Sequence, residues 1–459
     1  MSTPSIEKLH KIIIQLLNEV ALLKQEVAEL KRENEELRKG KNSNNSHLPP
    51  SKDLFVPKRN QSLRKQSGKK SGGQEGHEGS TLKMSANPDH TILHRPKECE
   101  KCGLDLSSLQ EELTERRQVV DIPPITPIYT EHQIVNKTCT CGHVNCGKFP
   151  KGVNSTIQYG TNVEAWIAYM FARQYLPFQR TKELLSHFTG LKISEGTINN
   201  ILQRFTSKAL PSYQEIKTQI EGAEYLGTDE TGAKVNGNKY WFWTWQNKRL
   251  TFITQSESRG YKTIQRTFEN GFPNAILQHD RWAAHFQCEA KNHQICIAHL
   301  QRELNYLKEL YNHKWVRSFK TLIKKALELK AKLSFKNSYQ KSKVRDKLEQ
   351  LLDQLLKQKL PDKLKQAKTL QKKLLKIRDH LLVFLYHDQV PADNNGSEQA
   401  IRNIKVKQKI SGQFKSIAGA EAFAIIRSII DTAIKQDVNV FYVLGKIATF
   451  EAEWIFRAS

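Results

Sequence analysis

The 459-residue sequence lacks any apolar run that approaches the roughly 18 to 20 residues of a membrane span. Its mean hydropathy is −0.60, and its first residues have no apolar core of the kind that a secretory signal needs. These absences argue against a protein that spans a bilayer or begins with a signal peptide. They predict a protein that works in the cytoplasm and does not bind membranes.

Acidic residues are scarce relative to basic ones. The sequence has 72 Lys and Arg against 47 Asp and Glu, which gives a net charge of +25. Such an excess repels itself, so it favours a nucleic acid partner over a merely solubilising surface. At about 150 residues per domain the length allows about three domains, which excludes a single small binding module.

Cysteines are few and unevenly distributed. Five of the seven lie within 48 residues, and in a reducing compartment such clustering predicts a metal site before a disulfide. The other two, Cys288 and Cys296, stand apart. We expect them, together with His293 and His299, to pack in the core and not to form a second metal site.

The clustered cysteines predict a zinc-binding module at residues 91–152. Its first half is a CxxCG knuckle, and a CxCG motif follows 37 residues later, with strand-like sequence at Val119–Ile122 and Ile128–Val135 between them. Four thiolates at tetrahedral geometry suit a structural Zn²⁺. Either His143 or Cys146 could replace one ligand of the second half. The predicted ligands are Cys99, Cys102, Cys139 and Cys141.

The first forty residues carry a strict heptad repeat. Leucine occupies every d position, β-branched residues occupy the a positions except at Asn34, and Glu at g is followed by Lys or Arg at e. This pattern is typical of a parallel two-stranded coiled coil. Residues 1–39 are therefore predicted to form a homodimer through residues 6–38. No basic region precedes the zipper, so we do not expect the zipper itself to read DNA.

Residues 40–90 are too polar to form a core. Between Lys39 and Lys70 there are nine basic residues and one acidic residue among Asn, Ser, Pro and Gly. This composition predicts a flexible basic linker that can follow phosphates. The DNA contacts predicted in it are Lys58, Arg59, Lys69 and Lys70.

Residues 153–215 are predicted to form a helical domain. Two helices at 181–188 and 194–205, joined at Thr189-Gly190 and with Ser194 as N-cap, have the spacing of a helix-turn-helix. Two short helices joined at Gly also occur in helical domains that bind no DNA, and both interpretations stay open. The residues that would read bases are Thr197, Asn199 and Asn200.

From Glu224 the hydrophobic pattern changes to period two. Glu224–Val235 and Lys239–Gln246 flank an Asn-Gly turn and predict a β-hairpin whose aromatic residues lie in the core. A strand at Leu250–Glu257, a helix at Tyr261–Phe268 and a strand at Ala275–Asp280 follow. Three antiparallel strands succeeded by alternating strands and helices predict an α/β fold with a ribonuclease H-like sheet.

A Lys-rich helical insertion at 301–387 is predicted to interrupt this catalytic domain, whose halves are 216–300 and 388–459. Between Lys320 and Asp379 there are 19 basic and six acidic residues, and Leu spacing gives the segment an apolar face. Its basic face is interpreted as a DNA clamp, with a solvated surface as the alternative. The DNA contacts predicted here are Lys363, Lys365 and Lys368.

Three carboxylates stand out by position. Asp229 lies inside the first strand, Asp280 ends the fourth, and a loop of turn residues delivers Glu398 to the first turn of a helix. Burying a carboxylate at the end of a strand costs free energy unless the carboxylate is paired or bound to a cation. Carboxylate oxygens are ligands that suit Mg²⁺. Arg402 and Lys405 share the helical face of Glu398 and could approach a phosphate. Alternatively, Glu398 simply favours a helix N-terminus and pairs with Arg402.

Several short motifs follow one another along the chain in a fixed order. After the zipper and the linker come Gly-His-Glu-Gly-Ser-Thr-Leu at 76–82, Cys-x-x-Cys-Gly, Gly-Thr-Asp-Glu-Thr, Cys-Ile-Ala-His-Leu-Gln-Arg at 296–302 and Asp-Asn-Asn-x-x-Glu-x-x-x-Arg at 393–402. Together they resemble the bacterial insertion sequence 66 family of transposases across nearly the whole chain. Two positions depart from it: Arg281-Trp282 follows the second acid, where small or aromatic residues are more usual, and Gly396 replaces a common Pro.

The resemblance implies a DDE-type catalytic domain with Asp229, Asp280 and Glu398 as its acids and Mg²⁺ or Mn²⁺ as cofactor. Two metal ions in such a site support phosphoryl transfer, with Asp229 bridging them. Hydrolysis would expose a 3′-OH at the element end, and this 3′-OH would then attack target DNA. The implied partners are double-stranded DNA at the nucleoid of a bacterium and accessory proteins encoded by the same element. The alternatives are a nuclease of the same fold without strand transfer, and a dimeric zinc-containing DNA-binding regulator.

Overall fold

The structure is a computed structural model that describes residues 6–38, 82–331 and 338–449. The chain divides into two compact units, a smaller one of residues 57–129 with 188–190 and a larger one of the remaining residues. Among the helices in the described ranges, none has the length and apolarity that crossing a membrane requires.

The heptad segment forms one helix, α1 (Ile6–Arg38). The side chains described at its a and d positions are between 45% and 58% exposed, so no part of the chain that the structure describes covers this apolar stripe. The helix is confirmed, and its pairing with a second chain stays a prediction. These a and d residues are Ile13, Leu16, Val20, Leu23, Val27 and Leu30.

The sequence between the two cysteine motifs differs from its prediction. Neither Val119–Ile122 nor Ile128–Val135 forms a strand; in this region the larger unit has only the short hairpin of β1 (Asn136–Thr138) and β2 (Val144–Cys146). Val119 is 94% exposed, so the apolar residues have no surface to cover. Prolines at 123, 124 and 127 lie between the two segments and lack the N–H groups that would extend a ladder into the connection. The strand prediction was therefore wrong.

The helical domain consists of α2 (Thr161–Ala172), α3 (Phe178–Thr189) and α4 (Glu195–Glu221). The predicted cap is confirmed, because Ser194 Oγ accepts a hydrogen bond from the Thr197 N–H at 3.0 Å. However, α4 continues to Glu221, beyond both its predicted end and the expected boundary at 215. Its later residues keep a buried helical stripe, which sustains the helix; Phe205, Ala209, Ile216 and Ile220 are all 0% exposed.

The catalytic region predicted from Glu224 onward forms a five-stranded sheet. The hairpin, the third strand and the strand before Asp280 are confirmed, and Asn236-Gly237 makes the turn with positive φ angles of 47° and 78°. The elements are β3 (Tyr225–Val235), β4 (Asn238–Gln246), β5 (Thr251–Ser256), α5 (Tyr261–Thr267), β6 (Phe272–His279), α6 (Ala283–Phe286) and β7 (Ala290–Ile295). The strand order is β5-β4-β3-β6-β7. Strands β3, β4 and β5 pair antiparallel, whereas β3, β6 and β7 are parallel.

Helices complete the larger unit. The helix α12 (Ile417–Lys435) covers the outer edge of β5. Its Ser428 Oγ and Thr432 Oγ1 accept hydrogen bonds from the N–H groups of Ile253 and Thr251 at 2.8 and 3.1 Å. An edge strand covered in this way cannot pair with another chain. The helices are α7 (Ile297–Tyr311), α8 (Lys314–Ala331), α9 (Ser338–Lys357), α10 (Lys365–Lys376), α11 (Asn395–Ser411), α12 (Ile417–Lys435) and α13 (Val440–Ala448).

Two hydrophobic cores lie against the sheet. The first contains the aromatic residues of β4, of which Phe242, Trp243 and Trp245 are 0% exposed, so the prediction that they form core is confirmed. The second contains the leucines of the insertion together with Tyr225 and Ile276 of the sheet. The insertion therefore shares a core with the sheet, and its first helix, α7, begins before the predicted boundary at 301.

Candidate active site

Two of the predicted acids lie on neighbouring strands. Asp229 is in the middle of β3, and Asp280 follows the last residue of β6. The two strands are parallel, with Gly227 opposite Gln278. Continuing this register by two residues sets Asp229 beside Asp280, on the same face of the sheet because side chains alternate.

Glu398 approaches from the other half of the domain. Asn394 precedes α11, and its carbonyl accepts a hydrogen bond from the Glu398 N–H at 3.1 Å, which places Glu398 in the first helical turn as predicted. Helix α11 packs on β3 and β4. An insertion of about ninety residues thus separates the third acid from the others in sequence but not in space.

A buried polar network attaches the start of α11 to the sheet. Asn394 Nδ2 donates to the Thr228 carbonyl at 2.7 Å, and Ser397 Oγ donates to Asn394 Oδ1 at 2.7 Å. Gln246 Nε2 of β4 donates to Ser397 Oγ at 3.3 Å. Lys435 Nζ of α12 donates to Gln246 Oε1 at 2.8 Å. The carboxylate of Glu398 is therefore positioned by groups on three other elements.

Two glycines make room for this network. A Cβ on Gly227 would lie 2.5 Å from both Asn394 Oδ1 and Gln246 Nε2, and a Cβ on Gly396 would lie 2.7 Å from Gln246 Nε2. Any other residue would collide with these atoms at such distances. A Pro at position 396 also carries a Cβ, so it would collide with Gln246 where that side chain now lies.

The three carboxylates interact electrostatically. Burial and the negative charges of Glu230, Asp280 and Glu398 raise the pKa of Asp229 well above its ordinary value. Glu398 Oε1 is buried and makes no hydrogen bond. Within the described part of the chain, no three His, Cys, Asp or Glu side chains close around a single ion. Like charges that lie near one another repel, and a cation bound between them would relieve that repulsion.

Three basic side chains surround Glu398. Its Oε1 lies 4.0 Å from His299 Nε2 and 3.8 Å from Arg302 Nη2, and its Oε2 lies 3.6 Å from Arg402 Nη2. These distances exceed the 2.7–2.9 Å of a charge-assisted hydrogen bond. The Arg402 side chain is 71% exposed and accessible to a ligand. Lys405 was predicted on the same face, but its ammonium donates to a backbone carbonyl of β3.

The opposite face of β3 carries a fourth acid, as the alternation of side chains along a strand predicts. Glu230 is fully buried; its Oε1 pairs with Arg259 Nη2 at 2.7 Å, and its Oε2 lies 3.0 Å from His285 Nε2. Its position after Asp229 gave a signal, because strand alternation points it away from the first acid. No local pattern indicated Arg259 or His285 as its partners.

The second cysteine group packs in the core, as expected. Cys288 and Cys296 are 3% and 1% exposed, and burial raises the pKa of Cys296 to about 11, so it remains a thiol. Burial also lowers the pKa of His293 to about 4, which keeps that ring neutral. Only His299 differs from the packing prediction, because it faces Glu398. Its place beside Arg302 in the 296–302 motif was the available signal.

Each half of the zinc module forms a tight knuckle. In the smaller unit the Gly103 N–H donates to the Cys99 carbonyl at 2.9 Å, and in the larger unit the Gly142 N–H donates to the Cys139 carbonyl at 2.8 Å. Both glycines have positive φ, at 72° and 86°, which the turns require. The CxxCG and CxCG motifs thus adopt similar turns despite their different spacing.

The knuckles favour thiolates. Hydrogen bonds from the backbone N–H groups of Lys101 and Cys102 lower the pKa of Cys99. Backbone and side-chain hydrogen bonds from Cys141 lower the pKa of Cys139 in the same way. A thiolate is the form that binds zinc. Cys146 instead donates its thiol to Asn136 Oδ1 at 2.6 Å.

The predicted base-reading residues lie in the first turns of α4. Asn200 is exposed, whereas Thr197 and Asn199 are partly buried. The Thr197 hydroxyl hydrogen-bonds Ser194 Oγ at 2.8 Å, so it takes part in the helix cap.

The predicted phosphate contacts divide between two regions. Lys363 and Lys365 are exposed at the start of α10, and Lys368 is ion-paired with Asp362. The linker contacts lie outside the residues that the structure describes; they are Lys58, Arg59, Lys69 and Lys70.

The larger unit thus combines a mixed α/β sheet that carries acidic side chains with a Lys-rich helical insertion. Residues 156–422 match the family described as Transposase IS66 family, and residues 96–142 match the zinc-finger binding domain of transposase IS66. Residues 2–83 match a family of unknown function. A search of curated proteins found no match. Because the first match spans more than half of the chain, the protein belongs to the IS66 family of transposases and carries the family's zinc-finger domain.

Proposed function

We propose that the protein binds the ends of a mobile element, cuts DNA there and joins the resulting 3′-OH to target DNA, with Asp229, Asp280 and Glu398 as the catalytic carboxylates. The observation that supports this proposal is the electrostatic coupling of the three acids, because the charges of Asp280 and Glu398 both raise the pKa of Asp229. Two acids are adjacent across parallel strands, and a third is attached to the same strand by a buried network although 118 residues separate it from Asp280 in the sequence.

The sheet supports a ribonuclease H-like assignment for this domain. Three antiparallel strands are followed by two parallel ones, and the first strand lies at the centre of the order β5-β4-β3-β6-β7. The first acid is then central, the second ends the neighbouring strand, and the third comes from a helix. This arrangement lets one face of the sheet present all three to a DNA strand.

The carboxylates fit Mg²⁺ or Mn²⁺. Hard oxygen ligands are what these ions prefer, and Glu398 Oε1 has no hydrogen-bond partner. Burial and the neighbouring negative charges raise the pKa of Asp229, and a bound cation would favour its ionised form. We propose that Asp229 would contact both ions of a pair, with Asp280 and Glu398 holding one each. Such ions supply charge stabilisation for in-line phosphoryl transfer.

The protein's own basic residues would orient the DNA at this site. Arg402 is exposed beside Glu398 and would contact a phosphate, with His299 and Arg302 closer to the carboxylate. Lys405 has a supporting role through its contact with β3. Because a bound metal ion would stabilise the charge on the leaving oxygen, no side chain would need to become covalently attached to DNA.

Further DNA contacts would lie on other elements. Exposed Lys363 and Lys365 support the insertion as a clamp for the phosphate backbone. Asn200 is the best placed of the three base-reading candidates because it is exposed, whereas Thr197 is engaged in the cap. A helix-turn-helix role for α3 and α4 remains part of this proposal.

The zinc site is proposed to be structural, with Cys99, Cys102, Cys139 and Cys141 as ligands. The thiolate-favouring hydrogen bonds at Cys99 and Cys139 support this set, and the bond from Cys146 to Asn136 argues against Cys146 as a ligand. The exposed stripe of α1 supports pairing of two chains through residues 6–38. Accessory proteins of the same element remain expected partners, in the bacterial cytoplasm.

The test compares Asp229→Asn with the intact protein on a duplex that carries the element end, together with a target plasmid and Mg²⁺. We expect the variant to bind the end normally but neither cut nor join it. The control is Asp379→Asn, whose carboxylate is 85% exposed and should be dispensable. Joining by the Asp229→Asn protein would refute the assignment. Cutting without joining by the intact protein would indicate a nuclease, and binding alone would indicate a regulator.

A further inference from the structure

An exposed tryptophan lies beside the second acid. Trp282 is 38% exposed, whereas Trp243 and Trp245 of the sheet are fully buried. Its backbone N–H donates to Asp280 Oδ1 at 2.9 Å. The intervening Arg281 has φ of 74°, a left-handed conformation that is unfavourable for a residue with a long side chain. The turn thus tolerates backbone strain at the point where it presents an indole next to Asp280.

The indole is held in place by a neighbouring arginine. The Arg259 guanidinium lies 4.0 Å from the centroid of the Trp282 ring and 4.9 Å from that of Trp241. Trp282 Nε1 donates to the Arg259 carbonyl at 3.2 Å. Arg259 is itself fixed by the buried carboxylate of Glu230. The exposed part of the ring is therefore a rigid surface, which lowers the entropy lost when a ligand binds.

The charges around Trp282 indicate which part of DNA would bind. Arg259 is paired with Glu230, and Arg281 is paired with Glu303. Because both cations already have carboxylate partners, a phosphate would gain little binding energy from them. A tryptophan face backed by a paired guanidinium favours a flat, uncharged π-system. In DNA the flat, uncharged π-system is the face of a nucleobase, and this face becomes accessible when the base is unpaired.

We propose that Trp282, supported by Arg259, stacks on an unpaired nucleobase adjacent to the phosphate bound at the three carboxylates. This inference rests on the proposed function, since it names the DNA conformation that the same site would take. Stacking offsets part of the cost of unpairing and draws the strand away from the duplex toward Asp280.

The test measures binding in the Asp229→Asn protein, so that no DNA is cut. The probes are a duplex with a three-thymine 3′ overhang and the same duplex with abasic sites in the overhang. We expect a preference of about 10- to 100-fold for the overhang that carries bases. Trp282→Ala should reduce the preference to near one, while keeping the backbone bond to Asp280. Trp282→Phe retains an aromatic ring and should restore most of it.

The matched control is Tyr442→Ala in the same background. Tyr442 is 56% exposed and has Lys446 over its ring at 5.9 Å, but it lies on α13. The preference should be unchanged in this variant. A preference that survives Trp282→Ala, or that is absent from the parent protein, would overturn the base site.

A cleavage assay with Asp229 intact separates this inference from the proposed function. Protein that distinguishes bases from abasic sites through Trp282 but never cuts DNA would refute the transposition chemistry and leave the base site standing. Protein that cuts and joins DNA while showing no such distinction would refute the base site alone.

Discussion

Replacing Gly227 by Ala tests whether the network at the start of α11 positions the third acid. The new Cβ would lie 2.5 Å from Asn394 Oδ1 and Gln246 Nε2, and 2.8 Å from Ser397 Oγ. Ordinary contact begins near 3.4 Å, so all three atoms would have to move. They have little freedom, because Asn394 is 2% exposed, Gln246 5% and Ser397 0%.

The cost follows from two effects. Overpacking of a buried site costs about 1–3 kcal/mol. The displaced groups would also lose hydrogen bonds from Ser397 to Asn394 and from Gln246 to Ser397, and each buried polar group left unpaired costs about 1–3 kcal/mol. Replacing Gly by Ala returns up to about 1 kcal/mol through the unfolded chain. We expect a net loss of about 2–5 kcal/mol in the free energy of unfolding.

The assay is urea unfolding together with DNA cleavage at a temperature at which the variant is folded. Cleavage should fall about 100-fold or more, because a shift of about 1 Å in a catalytic group has that effect. Gly232→Ala is the control on the same strand, since its nearest neighbours would be 3.8 Å away; its stability should change by less than about 1 kcal/mol. Wild-type stability and cleavage in Gly227→Ala would refute the reasoning.

Three further outcomes are expected. Cys102→Ala should remove zinc from the purified protein, as measured by metal analysis, whereas Cys146→Ser should retain it because that thiol is bonded to Asn136. Changing both Lys363 and Lys365 to Gln should reduce the slope of log K for DNA against log salt by roughly 2; an unchanged slope would exclude the clamp. Burial lowers the pKa of Lys407 to about 7, so above pH 7 the unfolded chain holds more protons than the folded one. The free energy of unfolding, relative to Lys407→Met, should therefore rise between pH 7 and 10, by up to about 1.4 kcal/mol per pH unit, and a difference independent of pH would contradict this.

Features encoded locally could be predicted from the sequence. The Asn-Gly turn and the period-two pattern around it predicted the hairpin closely, and Ser194 marked the start of α4. The turn residues before Glu398 predicted its place in a first helical turn. In each case the signal and the structure lie within about ten residues of each other.

Features that depend on distant partners could not be predicted. Gln246 meets Ser397 across 151 residues, and Arg259 meets Glu230 across 29. No periodicity marks such pairs. The strands expected at Val119–Ile122 and Ile128–Val135 failed for a related reason, because β-propensity describes a residue that has a neighbouring strand and a core to cover, and these segments have neither.

The covering of β5 by α12 has a consequence for synthesis. Ser428 and Thr432 meet the strand across 175 and 181 residues, and Asn394 meets Thr228 across 166. At roughly 5–20 residues per second, a ribosome needs on the order of 10–30 s to make that intervening length. For most of this interval the nascent chain has Asp229 and Asp280 but not Glu398, and the edge of β5 is open. The third acid is added shortly before the helix that covers this edge, so an unfinished chain can associate through its edge strand before the three acids are together.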